Sequence, residues 1–575
     1  MSKQNIAAPT TPVAENASVQ VQVTVKPILP LGLAAVGLIA CIVVSASALL
    51  HMAGKSLFQG LLTNKVLLVW GAWLPVDLHL AQNAWGSMYT TGAIEFVLLM
   101  ALAFGIYALS AWFIHRQLAD SDYQPIMRII WAATIVMGLI YVLIPAMLSR
   151  DIFVYVGYGR TITAHQSNPY FVTLSAFPQD PLNSYDDWKN ATSAYGPLWL
   201  LVCSFWTLLI GTSPLAYVLA FRLFALVAHL VNVWLIATIL KKMEYQPRTV
   251  ALGTLLYAWN PLALMESSMG GHNDVLMITF ILLGILLCLR AEHNGFKHLL
   301  DYLLPVIVFT LAVLIKFTAA PLIAFVLVLL VRHTLYKEAS DKLLNAPKGW
   351  VNWQPALLKL LHAGVVSGIL ALAFYAPFWM GHSFHDIVAS FSSPPSAYFS
   401  ENSVLRFTYE WIQVHGLPSR DSWAYLPVYL LSQHSTWNAI NALALACTMV
   451  IGAIWLWRVP TTRTLILASL LTLGILLIVT PWFFPWYVTW LLALAVISIP
   501  TLTDRRGQAW AAFAFTFSAT SLIVYLFHDV LPLGHWNAVA WSCMIGIPVL
   551  VLLLFVMQNN RHRQCALVEN VTTTR

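Results

Sequence analysis

Arg150 and Asp151 open the stretch "LSRDIFVYVGYGRTITAHQSNPYF", Leu148 to Phe171, where membrane-type sequence gives way to a charged, aromatic and turn-rich segment. Ionised groups just beyond a membrane helix can reach the interface and are tolerated there. Ser149 and Asp151 also suit a helix start, which favours an oxygen acceptor and a negative charge. The residues that follow offer more than a cap. "NPYF" (168–171), "DPLNSYDDW" (180–188) and "SAYGPLW" (193–199) add Asn168, Tyr170, Asp186, Asp187 and Tyr195. Aromatic faces stack on the C–H surface of a pyranose ring, while Asp and Asn take hydroxyls. Such a loop over a membrane cavity suits a sugar; the plainer reading is an interfacial belt of Tyr and Trp.

Three further motifs carry polar chemistry. In "MGGHNDVLM" (269–277), Gly270 and Gly271 permit an abrupt turn, after which His272, Asn273 and Asp274 open a helix. Asp274 alone would be an ordinary cap, but three polar side chains between membrane helices exceed what a cap needs. Lys316 lies between two apolar runs in "LAVLIKFTAAPL" (311–322). An intramembrane lysine is costly and marks function by default, with an anionic head group or phosphate as partner; the alternative is snorkelling to an interface. "TPWFFPWYVTWLL" (480–492) places Trp486 and Tyr487 in a proline-stiffened aromatic lip, which physics alone would also accept as an interface anchor.

The elements that must position these groups are membrane helices. The chain is 59% hydrophobic and 9% charged, against about 25% charged in soluble domains. Apolar runs long enough to cross a ~30 Å hydrocarbon layer recur along it. The expected fold is all-α and polytopic, with about 13–15 membrane segments. Candidate segments include 127–148, 197–211, 214–240, 249–267, 301–316, 318–331 and 486–501, and 195–240 must cross an odd number of times. The net charge of +7 sits in short clusters between apolar runs, which read as positive-inside signals rather than as a nucleic-acid footprint. Clusters at 115–117, 241–242, 332–342, 458–463, 504–506 and 561–563 then face the cytoplasm. Loops 149–196 and 381–436 face outward from a single membrane domain spanning 27–558. Residues 1–26, without periodicity, read as a disordered cytoplasmic tail and 559–575 as another. Ala46-Ser47-Ala48 looks like a cleavage site, but the preceding tail favours an uncleaved anchor. The cysteines show no CxxC or ligand-like spacing, so neither a disulfide framework nor structural zinc is expected.

Taken in order, "SRDIFVYVGYGR", "NPY", "DWKNATSAYGPLW", "GGHND" and "LIKFTAAP", with "PWYVTW" more loosely, resemble the bacterial α-(1→6)-mannopyranosyltransferases that use polyprenyl-phosphate mannose. These belong to the GT-C superfamily of membrane glycosyltransferases. The resemblance implies a GT-C type helical bundle in the cell membrane. It implies an enzyme that moves a hexose, mannose foremost, from a polyprenyl-phosphate sugar to a glycan or glycolipid acceptor on the extracytoplasmic face, with inversion. The family's acidic base matches Asp151. Arg150 and Lys316 would clamp the donor phosphate, so no cofactor is expected, although Asp186, Asp187, His272 and Asp274 are ligand types a divalent ion accepts. The competing classes are a polyprenyl-lipid flippase or transporter, which should show internal repeats and several midplane charges, and a GT-C transferase acting on a protein or lipid.

Overall fold

A computed structural model describes residues 28–52, 74–75, 87–118, 122–342, 353–392, 400–498, 505–525 and 541–558. The tails expected at 1–26 and 559–575 lie outside these residues. Apart from a two-residue parallel pairing of Leu74–Pro75 with Ala146–Met147 and an isolated bridge between Glu401 and Trp482, the regular structure among the described residues is helical. Among the described residues, nine helices are long and apolar enough to cross a membrane, and four shorter apolar helices accompany them. The chain is an all-α polytopic membrane protein.

The helices leading to the site are α1 (Ile28–Met52), α2 (Ser87–Gln117), α3 (Tyr123–Leu143), α4 (Asp151–Thr163), α5 (Pro197–Ile210) and α6 (Pro214–Lys242). They continue with α7 (Pro247–Ala258), α8 (Pro261–Ser268), α9 (Asp274–His293), α10 (Leu299–Val313), α11 (Ala320–Lys342) and α12 (Gln354–Trp379). Then come α13 (Phe384–Ser392), α14 (Val404–His415), α15 (Tyr425–Leu431), α16 (His434–Arg458), α17 (Thr462–Val479) and α18 (Val488–Ser498).

Several expected segments are broken, each for a local reason. The run 127–148 stays helical only to Leu143, because Pro145 cannot continue the ladder. The carbonyls freed there are taken by Arg222 of α6, whose guanidinium donates to Tyr141, Val142, Ile144 and Ala146. A fully buried arginine is tolerated because these acceptors replace its water shell. The run 249–267 splits at Pro261, with Asn260 capping α8 through Ala263 N–H. Between α10 and α11 the backbone opens at Leu314–Lys316, and the carbonyls of Leu314 and Ile315 accept from Leu198 and Gly196. A side chain at 196 would collide with Leu314, so this closure needs glycine.

The same contacts settle which part of 195–240 runs the depth of the bundle. The start of α5 bonds to Leu314 and Ile315, while its far end, Gly211, accepts from Arg160 in the last turn of α4. α4 and α5 therefore run side by side away from the site. α6 starts beside Gly211, passes the site at Arg222 and ends at Lys242, whose neighbour Lys241 lies over Tyr123. At that end, Arg248 donates to Leu118, Arg463 to Tyr245 and Arg332 to Trp457. Among the described residues, Lys241, Arg248, Arg332 and Arg463 thus gather at one end of the bundle, and Asp151 lies at the other.

Segment 149–196 is not a loop throughout, since α4 occupies its first part and is buried from Ile152 to Thr161. Segment 381–436 carries α13 to α15. Its Glu401 pairs by backbone with Pro481 and Phe483, bracing the aromatic lip.

Candidate active site

A cavity of about 580 Å³ opens where α4, the α10–α11 break and the aromatic lip meet. Asp151, Tyr170, Tyr195, Lys316, Trp486 and Tyr487, all singled out by sequence, contribute to its wall. The rest is largely aromatic, with Tyr158, Trp188, Tyr375, Trp379, Trp482 and Trp490 among its groups. Trp188 meets Trp482 edge-on at 5.2 Å, and Phe484 stacks on Trp486 at 4.5 Å. Of the second long segment, 381–436, only Ser390 reaches the cavity among the described residues.

Asp151 is the first residue of α4. Arg150 occupies the cap position without a side-chain cap bond to the helix, and Ser149 Oγ accepts from Asp151 N–H. The carboxylate is therefore held at the N-terminal end of α4. Its side chain is 16% exposed, which leaves it reachable from the cavity.

Lys316 Nζ donates to Asp274 Oδ1 at 2.7 Å, and the same oxygen accepts from Trp490 Nε1 at 2.6 Å. The ammonium also lies 4.2 Å from the Tyr487 ring centre and 4.9 Å from that of Trp490. Asp274 does not cap its own helix: the cap position belongs to Asn273, which makes no side-chain cap bond. Both residues are buried. One carboxylate and two aromatic faces hold the lysine, and its other N–H donors remain available to an anion in the cavity.

His272 sits between two carboxylates. Its Nδ1 is 3.4 Å from Asp151 Oδ2 and its Nε2 is 3.2 Å from Glu266 Oε2, while its ring stacks on Trp486 at 3.9 Å. The first contact is long for a hydrogen bond and neither satisfies hydrogen-bond geometry, so both are ion-pair contacts. Burial opposes the charged imidazole, but Asp151 and Glu266 outweigh it and raise His272 to about 9. Tyr525 donates to Glu266 Oε1 at 2.7 Å.

The remaining sequence candidates lie away from the cavity wall. Arg150 donates to Asp187 at 3.0 Å on the exposed side. Asn168 ties the segment to α12 through the Phe378 carbonyl and accepts from Tyr170 N–H. Asp186 is buried and accepts from Trp188 N–H, orienting an aromatic wall residue. Burial, and then the charges of Asp187 and Asp151, push its carboxyl up to about 7. Asn273 is buried with no partner for its amide among the described residues. Asp186 and Asp187 do not join His272 and Asp274, and among the described residues no three His, Cys, Asp or Glu side chains gather as a metal site.

Sequence reasoning missed Glu266, Tyr525 and Trp490. Glu266 had a usable signal, an acidic residue inside an apolar run. Trp490 lay within the quoted aromatic lip 480–492 without being singled out, and Tyr525 had no signal, since its partner comes from a distant segment.

The fold and site define a membrane protein with an aromatic cavity whose charged wall groups, among the described residues, are one carboxylate and one ammonium. Residues 57–332 match the family described as Alpha-(1->6)-mannopyranosyltransferase, N-terminal domain. The chain is 27% identical over 229 residues to Alpha-(1->6)-mannopyranosyltransferase A of Corynebacterium glutamicum, covering 40% of this chain and 44% of that protein. Against the protein of the same name from Mycobacterium tuberculosis it is 26% identical over 222 residues, 38% of this chain and 39% of that one. The matched stretch thus spans less than half of either relative. No solved structure matches the chain.

Proposed function

We propose that the protein is a GT-C type membrane glycosyltransferase that moves a hexose, mannose foremost, from a polyprenyl-phosphate donor to a glycan or glycolipid acceptor. The observation that carries this reading is the cavity wall, where Asp151 and Lys316 stand among stacked aromatics. The names of the two relatives support mannose and an α-(1→6) linkage.

In this reading the aromatic wall receives the sugar ring, and Lys316 binds the donor phosphate through the N–H groups that Asp274 leaves available. Asp151 accepts the proton of the acceptor hydroxyl as its oxygen bonds to the anomeric carbon. The bond from that carbon to the phosphate oxygen breaks on the opposite side, and polyprenyl phosphate departs against Lys316. One base and one cation suffice for such an inverting displacement, because a monophosphate leaving group needs modest charge neutralisation. The site lies at the end of the bundle away from Lys241, Arg248, Arg332 and Arg463, which supports an extracytoplasmic reaction in the cell membrane.

The test is incubation of membranes containing the protein with labelled polyprenyl-phosphate mannose. Label passing to a saccharide supports the reading; intact donor crossing the bilayer with no product would replace it with a flippase.

A further inference from the structure

We propose that Glu266 is a positioning residue: it keeps His272 an imidazolium, with its Nδ1 edge beside the Asp151 carboxylate. The proposal deepens the reading of Asp151 as the reacting base and rests on it for its catalytic meaning, but not for its geometry.

The geometry leaves the imidazole one comfortable state. A carboxylate oxygen approaches each ring nitrogen, Asp151 Oδ2 on one side and Glu266 Oε2 on the other. A neutral tautomer would leave a ring lone pair on the side of one of these anions, whereas the cation presents positive charge to both. The site is buried, with His272 at 2% exposure and Glu266 at 4% in their side chains, so water does little to screen the repulsion.

Each neighbour restricts the ring further. Trp486 covers one face by stacking. A Cβ at position 270 would fall 2.5 Å from His272 Cδ2 and 2.7 Å from the Glu266 carbonyl, so glycine there makes room for the ring. Tyr525 holds the second oxygen of Glu266. The charged groups facing the imidazole are therefore Asp151 from α4 and Glu266 from α8, with Tyr525 behind the latter. Asp274, two residues on, is committed to Lys316 and Trp490.

The consequence for Asp151 is orientation. With Oδ2 drawn toward His272, the carboxylate is biased to one orientation while Asp151 still lines the cavity. An imidazolium that lost its proton would release that constraint, so the site should fail at alkaline pH through His272. The raised pH range in which His272 stays charged agrees with this.

The test is the ¹⁵N NMR signal of His272 in the full-length protein labelled at histidine, assigned by its loss in His272→Gln. In the wild type the imidazole should deprotonate near pH 9. In Glu266→Gln the midpoint should fall by about one pH unit or more, the effect of removing a carboxylate within contact distance. Transfer activity, measured alongside, should lose its alkaline limb at the same lower pH, whereas a merely structural role would lower the rate equally at every pH. An unmoved midpoint would overturn the proposal. A moved midpoint in a protein that transfers no sugar would leave the pairing intact and sink the transferase reading instead. Should Glu266→Gln fail to fold, Glu266→Asp withdraws the same charge by one methylene, and its midpoint must also fall.

Discussion

Lys316 Nζ and Asp274 Oδ1, 42 residues apart in sequence, meet at 2.7 Å where the α10–α11 break faces the start of α9. The pair joins the two polar motifs that interrupt this part of the membrane sequence, and Trp490 fixes the carboxylate from a third direction. Because Asp274 is 2% exposed, the lysine both serves the cavity and neutralises a buried charge.

Lys316→Met should therefore do two things. It should destabilise the protein by about 3–5 kcal/mol, the cost of orphaning one partner of a buried pair, and it should weaken donor use. Adding Asp274→Asn removes the orphaned charge, so the double variant should recover thermal stability while donor use stays low. Unfolding midpoints in detergent and rates at limiting donor separate the two effects.

Asp151→Asn keeps the shape of the side chain but removes its basicity. The rate should fall about 10²–10⁴-fold, the usual contribution of a positioned base, with expression and insertion unchanged. A variant retaining more than about a tenth of the rate would move the base elsewhere.

Asp186 gives a pH dependence of defined sign. Its carboxyl titrates at about 7 when folded, against about 3.9 unfolded. Between those values the folded state holds a proton that the unfolded state has lost, so stability falls as pH rises and levels off above 7. Asp186→Asn keeps the acceptor for Trp188 N–H and removes the titration. Its unfolding midpoint should match the wild type near pH 4 and exceed it by several degrees at pH 8, where the penalty is of order a few kcal/mol. Equal midpoints at pH 8 would contradict the burial argument.

Orientation in the membrane is open to labelling. His385 is 93% exposed in its side chain, and Lys242 is exposed at the opposite end of α6. In a background without native cysteines, His385→Cys should react with an impermeant maleimide in intact cells, and Lys242→Cys only after permeabilisation. The reverse pattern would place the cavity in the cytoplasm.

Gly270→Ala should lower the unfolding midpoint and broaden the His272 signal. The added methyl meets the imidazole and the Glu266 carbonyl inside van der Waals distance, and overpacking of this kind costs about 1–3 kcal/mol.

By itself the sequence determined the class of protein, the presence of most helices and several cavity residues. Apolar length, basic clusters and proline breaks are local properties, and a chain in hydrocarbon must satisfy its backbone within each helix. Asp151, Lys316, Tyr195, Trp486 and Tyr487 were legible because polar or turn-forming residues stand out against an apolar background. What partners them was not. Glu266, Tyr525 and Trp490 reach His272 and Asp274 only because α8, α18 and the segment after residue 520 pack around one point, and no spacing along the chain encodes that meeting. Tertiary structure also gave Asp186 and Arg150 supporting positions outside the cavity, and it ran α5 beside α4 away from the site. Each of these depended on which carbonyls and carboxylates lay near enough to be bonded once the helices had packed, a matter of distance in space rather than order in sequence.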